Sequence, residues 1–223
     1  MKNYYIKIEN LSKTIKGVDV LKDINLNLEK GKIYGFRGKN GSGKTMLFRA
    51  ICGLIRPTKG KIIVNNQELG KDISFPQKLG ILIEYPGFLE GLSGYKNLKY
   101  LSSIRGEIND KTILESIKKV GLDPNNNIKV KKYSLGMKQR LGLAQAIMEN
   151  PDLLILDEPT NALDENGVHE INLIFKEFAN EGKTILIASH DREELDLICD
   201  EVYTIHDGKI TSKNVKGEKS NEY

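Results

Sequence analysis

The sequence predicts an α/β fold with a mainly parallel sheet, an antiparallel β-subdomain at its N-terminal end and a helical lobe inserted into the later part of the sheet. Three observations predict it. Short, almost wholly apolar runs recur, and each stops at polar or glycine-rich residues; strands of that kind are covered on both faces, as in parallel sheets. The opening stretch alternates apolar and polar residues instead, the pattern of antiparallel strands with one wet face. From Pro86 to Asn150 the chain is too long for a simple crossover and carries pieces of helical period.

The elements follow in order. Ile6 and Ile8, then Val18, Val20 and Leu21, then Ile24, Leu26 and Leu28 supply the N-terminal alternation. Ile33-Tyr34-Gly35-Phe36 leads into the glycine-rich Gly38 to Thr45. Leu79-Gly80-Ile81-Leu82-Ile83 ends at Glu84, Leu153 to Leu156 ends at Asp157-Glu158, and Thr184 to Ala188 ends at Ser189-His190. Ligands of such sheets bind beyond the carboxyl ends of the strands. Glycines, a lysine, three carboxylates and a histidine are therefore expected along one edge. Helices are expected around Tyr95 to Arg105 and Lys111 to Val120. Another carries Val168, Ile171, Ile174, Phe175 and Phe178 on one stripe and stops at Gly182. Residues 1–212 are expected to form one domain with a helical subdomain inserted at about 86–150. Residues 213–223, almost without apolar side chains, are expected to be a disordered tail.

Composition narrows the function. The 223 residues carry a net charge of +4, with 39% hydrophobic and 29% charged residues, which is ordinary for a globular domain and too apolar for a disordered chain. At this length one large domain with an inserted lobe buries an ample core without staples. The charges are interspersed and only mildly basic, so nucleic acid is not expected as a partner, and Lys129, Lys131 and Lys132 read as a solvated face. No run approaches the ~20 apolar residues of a membrane span, and Met1 to Lys7 is interrupted by charge, unlike a signal peptide. Cys52 and Cys199 lie far apart with no CxxC or Cys/His grouping, so they read as packing residues. The expectation is a cytosolic chain, so that any membrane role would come through a partner.

The chemistry starts at Gly38-Lys39-Asn40-Gly41-Ser42-Gly43-Lys44-Thr45, which matches the phosphate-loop pattern GxxxxGK followed by Ser or Thr, with a strand before it and a helix after it. Its glycines let backbone N–H groups turn toward phosphates, and the helix adds its positive end. Lys44 would reach the β- and γ-phosphates, and the Thr45 hydroxyl would bind Mg2+. Asp157 suits a second Mg2+ anchor, and Glu158 a general base for the attacking water. Tyr133 to Arg140 opens a helix whose stripe includes Leu141, Ala144 and Ile147 or Met148. Ser134 and Gly136 thus sit at a second anion-binding helix end. One chain has two such ends but a single phosphate-loop lysine, which is resolved if the second end serves the nucleotide of another subunit.

With these motifs in this order, the chain resembles ABC-type ATPases, the nucleotide-binding subunits of ATP-binding-cassette transporters, over essentially Ile6 to Lys209. The resemblance implies a RecA-like P-loop NTPase fold, a helical signature subdomain, and hydrolysis of ATP with Mg2+. Ser134 to Arg140 stands where that family has its signature, commonly LSGGQ followed by xQR. Asn161-Ala162-Leu163-Asp164 matches the D-loop, and His190 matches the switch histidine at the γ-phosphate. The departures are specific. Tyr133, Leu135 and Met137 replace Leu, Gly and Gln, while Ser134 and Gly136 are kept. Glu84 takes the place of the Q-loop glutamine, where its carboxylate can coordinate Mg2+ or water. Ile15 falls where an aromatic stacks on adenine, leaving Tyr4 or Tyr5 as substitutes. Met46 replaces a hydroxyl that would contact the α-phosphate.

Ile83-Glu84-Tyr85-Pro86-Gly87, together with Tyr133 to Gln139, resembles the branch serving bacitracin and lantibiotic resistance and immunity. That implies a peptide antibiotic as cargo. It also implies a separate membrane permease, and a second ATPase subunit that is either another copy of this chain or a different one. The chain would then sit on the inner face of the cell membrane. Tyr85 to Gly91 is the expected docking segment for the permease, with Phe88 and Leu89 as anchors or as a buried hinge. Three other readings compete. A soluble ABC protein acting on DNA or ribosomes would usually bring coiled-coil inserts, zinc-binding cysteines or a duplicated cassette. A GTPase would bring an NKxD sequence, and neither it nor a small-molecule kinase would explain the signature segment. A nucleotide-sensing ABC subunit with weak catalysis is left open by Ile15 and Met46.

Overall fold

The computed structural model describes residues 4–84, 86–217 and 221–222. Strands β1 (Ile6–Ile15) and β2 (Val18–Leu28) pair antiparallel, with Ile6 opposite Leu28 and Ile8 opposite Leu26. Ile6, Ile8, Leu21, Ile24, Leu26 and Leu28 are buried, whereas Val18 at the hairpin end is exposed. After β3 (Ile33–Arg37) and α1 (Lys44–Ile51) the chain returns as β4 (Lys59–Val64) and β5 (Gln67–Glu68), giving a four-stranded sheet in the order β2-β1-β4-β5.

The second sheet adds β6 (Leu79–Leu82), β7 (Leu153–Asp157), β8 (Thr184–Ser189), β9 (Glu201–His206), β10 (Lys209–Val215) and β11 (Asn221–Glu222), in the order β11-β10-β9-β3-β8-β7-β6. Its strands from β9 to β6 run parallel. The apolar runs recognised in the sequence are β3, β6, β7 and β8, and they are sequential in neither order nor spacing. The crossovers that make them parallel carry the helices. Lys213 to Val215 continue β10, and Asn221–Glu222 pairs back on Ser212 and Lys213, so the expected disordered tail does not begin at Lys213.

Between β6 and β7 lie α2 (Gly94–Arg105), α3 (Asp110–Lys119) and α4 (Leu135–Ile147); α5 (Glu165–Asn180) and α6 (Arg192–Ile198) follow β7 and β8. Each starts on a side-chain cap. Ser93, Asn109, Ser134, Asp164 and Asp191 accept the backbone N–H three residues on, satisfying a donor the helix cannot.

The parallel sheet divides two cores. On one face Tyr34, Phe36, Leu153, Ile155, Leu186 and Ala188 meet α1 and the N-terminal sheet; on the other Ile33, Leu154, Leu156, Ile185 and Ile187 meet the remaining helices. Strand period two explains the division, since successive residues point to opposite faces. Phe36 packs edge-on against Phe48 of α1 at 5.3 Å and stacks on Tyr203 at 5.5 Å, which seats α1 directly under the phosphate loop. Gly80 is required by packing, because a Cβ there would lie 2.0 Å from the Ala146 carbonyl oxygen.

Candidate nucleotide site

A cleft of about 740 Å³ opens at the carboxyl edge of the sheet. It is lined by Asn40, Gly41, Ser42, Gly43, Lys44, Thr45 and Met46 of the phosphate loop, and by Glu84, Asp157 and Glu158 from the ends of β6 and β7. The loop owes its shape to its glycines. Gly41 and Gly43 have φ of 79° and 112°, in the region closed to most side chains. Gly38 lies beneath, where a Cβ would come within 2.4 Å of the Ile205 carbonyl oxygen. Lys44 is buried, and its Nζ donates to the carbonyl of Gly38 at 2.7 Å. Among the described residues the buried Ser42 hydroxyl has no partner, an unmet polar group at the floor of the cleft.

Thr45 Oγ1 donates to Asp157 Oδ2 at 2.5 Å. Burial pushes the Asp157 carboxyl above its ordinary range, with the neighbouring Glu158 and Glu84 charges adding to the shift against the Thr45 bond and Lys44. A cation beside it would offset that penalty. Lys44, the Ser42 hydroxyl and the loop N–H groups suit a triphosphate, and Thr45 with Asp157 suits a hard, oxygen-preferring ion such as Mg2+. The residues present fit both groups.

Glu158 follows β7 with φ of 50°, a left-handed conformation that a side-chain-bearing residue adopts at a cost. Its N–H donates to the Ala188 carbonyl at 2.8 Å, and its Oε2 lies 2.9 Å from His190 Nδ1. Gln139 of α4 donates from Nε2 to the carbonyls of Glu158 at 2.9 Å and Pro159 at 3.0 Å. Glu84, with φ of 60°, accepts from Arg49 Nη2 at 2.7 Å.

The structure brings most of the sequence-selected residues together. Ser134 and Gly136 are separate from this cleft: Ser134 caps α4 by accepting from Met137 N at 3.1 Å, and Gly136 faces the Ala162 carbonyl. Asp164 caps α5 through Gly167 N at 3.0 Å. Ile15 stands at the edge of the cleft's β1–β2 hairpin. It ends β1 directly opposite Val18, in the hairpin whose Val18 and Val20 line the cleft, and Tyr5 is buried in the core. The aliphatic surface comes from Val18 and Val20; Asp19, Lys22, Gln139, Asn161, Asp207 and Gly208 complete the lining. Nothing local marks those residues, because backbone bonds from Lys22 to Gly208 and from Gly208 to Ser42 assemble them from distant parts of the chain. Gln139 alone carried a signal, as the glutamine of the QR pair. Phe88 is partly buried against the core, whereas Leu89 is 51% exposed; Tyr85, in the same docking segment, lies outside the described residues.

Fold and cleft together define a phosphate-loop nucleoside triphosphatase. The family model for the ABC transporter matches residues 21–161. The ABC transporter ATP-binding protein YybJ of Bacillus subtilis is 49% identical over 94% of this chain and 97% of its own. The lantibiotic transport ATP-binding protein SrtF of Streptococcus pyogenes is 41% identical over 92% of this chain and 88% of its own. The bacitracin transport ATP-binding protein BcrA of Enterococcus faecalis is 40% identical over 94% of this chain and 69% of its own. Among solved structures, a dimeric bacterial ABC transporter cassette superposes with a TM-score of 0.88 at 27% identity, covering 96% of this chain and all of the other. The post-hydrolysis state of that cassette, bound to ADP and Pi, superposes at 0.87 and 25% identity, again covering 96% of this chain and all of the other.

The chain belongs to the ABC transporter family. It is an ATP-binding subunit that hydrolyses ATP to ADP and phosphate to drive transport. Among the described residues no helix is long and apolar enough to cross a membrane.

Proposed function

We propose that this chain powers the export of a membrane-active peptide antibiotic of the lantibiotic or bacitracin type. It would work at the cytoplasmic face of the membrane with a separate permease and a second ATPase subunit. The observation that carries the cargo is the 41% identity, over 92% of the chain, to a lantibiotic transport ATP-binding protein.

In this reading residues 86–150 act as one helical subdomain on a domain that begins with the antiparallel sheet. The loop from Gly38 to Thr45, with Met46, holds the triphosphate of ATP, and Thr45, Asp157 and Glu84 supply oxygens to Mg2+, which neutralises charge on the transferring phosphate. Glu158 takes the proton of the attacking water. His190, 2.9 Å from Glu158, orients that carboxylate and reaches the γ-phosphate. Ser134, Gly136 and Asp164 serve the nucleotide of the partner subunit, which their separation from their own cleft supports. Leu89, rather than the partly buried Phe88, anchors the permease.

Deleting the gene together with that of its permease should raise sensitivity to a lantibiotic or to bacitracin; unchanged sensitivity across a broad panel of such peptides would remove the cargo. Leu89→Asp should weaken the complex with the permease while ATP binding persists. Mixing Lys44→Ala chains with Ser134→Arg chains should restore part of the hydrolysis if like chains pair. No activity in a mixture that demonstrably pairs would count against the shared site.

A further inference from the structure

Arg49 lies in the last turn of α1, the helix that begins at Lys44. Its Nη2 donates to Glu84 Oε1 at 2.7 Å, with the two side chains 34% and 59% exposed. Glu84 reaches it from a left-handed backbone position, φ 60°, immediately beyond the end of β6. Glu84 also lines the nucleotide cleft with Asp157 and Glu158, and its charge is one of those that hold the Asp157 carboxyl up. Three carboxylates therefore face the place where a polyanionic triphosphate must sit. Of the three, Glu84 has a guanidinium within hydrogen-bond distance.

We infer that Arg49 is a positioning residue of the nucleotide site: it fixes Glu84 and neutralises it, so that a carboxylate at this position does not repel the phosphates. The inference rests on the reading of Glu84 as a group facing bound nucleotide. An exposed pair of this kind contributes little to folding. Its consequence lies in where the charge stands, since an uncompensated carboxylate acts on other charges over a screening length of about 8 Å at physiological salt.

The test is a titration of a fluorescent ATP analogue, in EDTA and with Mg2+, at low and high salt. Four proteins are compared: the unaltered chain, Arg49→Met, Glu84→Gln and the double variant. Arg49→Met should weaken metal-free binding about two- to fivefold at low salt, the range expected for an exposed charge pair. The loss should shrink at high salt and in Mg2+, where the cation balances the freed carboxylate, and it should disappear in the double variant. Arg49→Lys should restore most of the affinity. Glu84→Gln, which leaves α1 untouched, should by itself change metal-free binding little, because Arg49 already balances the charge it removes and the freed, partly exposed guanidinium is screened by water. An equal loss from Arg49→Met with and without Glu84→Gln would overturn the inference, because Arg49 would then act on the fold or on nucleotide directly. So would nucleotide binding that depends on Lys44 but is indifferent to both charges, and that result would leave the nucleotide reading standing. Absence of any ATP binding by the unaltered chain would overturn both.

Discussion

Gln139 joins the signature helix to the residue read as the general base, and its removal should separate folding from turnover. The side chain is buried and donates to two carbonyls, those of Glu158 and Pro159. Leucine at this position keeps the volume and removes both bonds. A neutral hydrogen bond contributes about 0.5–1.5 kcal/mol net, and an acceptor left unpaired in the interior costs about 1–3 kcal/mol. The Glu158 carbonyl keeps the Asn161 N–H at 3.2 Å, so its loss falls at the low end. Among the described residues the Pro159 carbonyl has no such substitute, so it carries the larger penalty. Together these give about 2–3 kcal/mol for Gln139→Leu, read as a lower unfolding free energy of the nucleotide-free protein in urea. The left-handed Glu158 backbone is then less firmly held and its carboxylate is displaced. Misplacement on the ångström scale costs up to about a hundredfold in rate, so steady-state hydrolysis should fall at least tenfold while binding of ATP to the loop persists. Full turnover in a destabilised variant would refute the coupling. Unaltered stability would refute the two bonds themselves.

Further outcomes follow from other parts of the site and core. Glu158→Gln should lower hydrolysis by about 10²-fold or more, the size of a general-base contribution, with ATP binding retained in a filter assay; near-normal turnover would mean another group activates the water. Glu194 is buried with Thr160 Oγ1 on its Oε2 at 2.9 Å, and burial raises its carboxyl above the ordinary range. A raised carboxyl pKa means the folded state holds its proton longer than the unfolded one, so this contribution is present at low pH and lost as pH rises through the shifted value. Glu194→Gln, which keeps an acceptor for Thr160, should reduce that decline in a melting-temperature series against pH; an unchanged slope would assign it elsewhere. Gly80→Ala should cost at least about 1–3 kcal/mol of stability, because its Cβ would meet the Ala146 carbonyl at 2.0 Å; a soluble variant with unchanged melting would contradict the packing of α4 on β6. Val18 and Val20 offer aliphatic surface without a π-face, so ATP and GTP should bind with similar affinity, and Val18→Tyr should favour ATP. Strong ATP preference in the unaltered chain would sink that idea.

The amino-acid sequence by itself determined the parts whose chemistry is contiguous. The phosphate loop needs glycines, a lysine and a hydroxyl within one turn of chain, and the four catalytic-edge strands announce themselves as apolar runs ending in polar residues. Helices show their buried stripes, and Ser134 and Asp164 stand where caps belong. What only the tertiary structure decided are the partnerships between segments: Arg49 with Glu84, Gln139 with the Glu158 carbonyl, Glu158 with His190, and Val18 to Lys22 beside Gly208. Which residues of the β1–β2 hairpin meet the loop was decided by the backbone bonds to Gly208, since position along the strands says nothing about it. The strand from Lys209 to Val215 was equally hidden, because its polar residues pair by backbone bonds that leave no apolar pattern. Local propensity and period are properties of neighbouring residues. Contacts across the sheet depend on register and crossover, which no stretch of the chain carries alone.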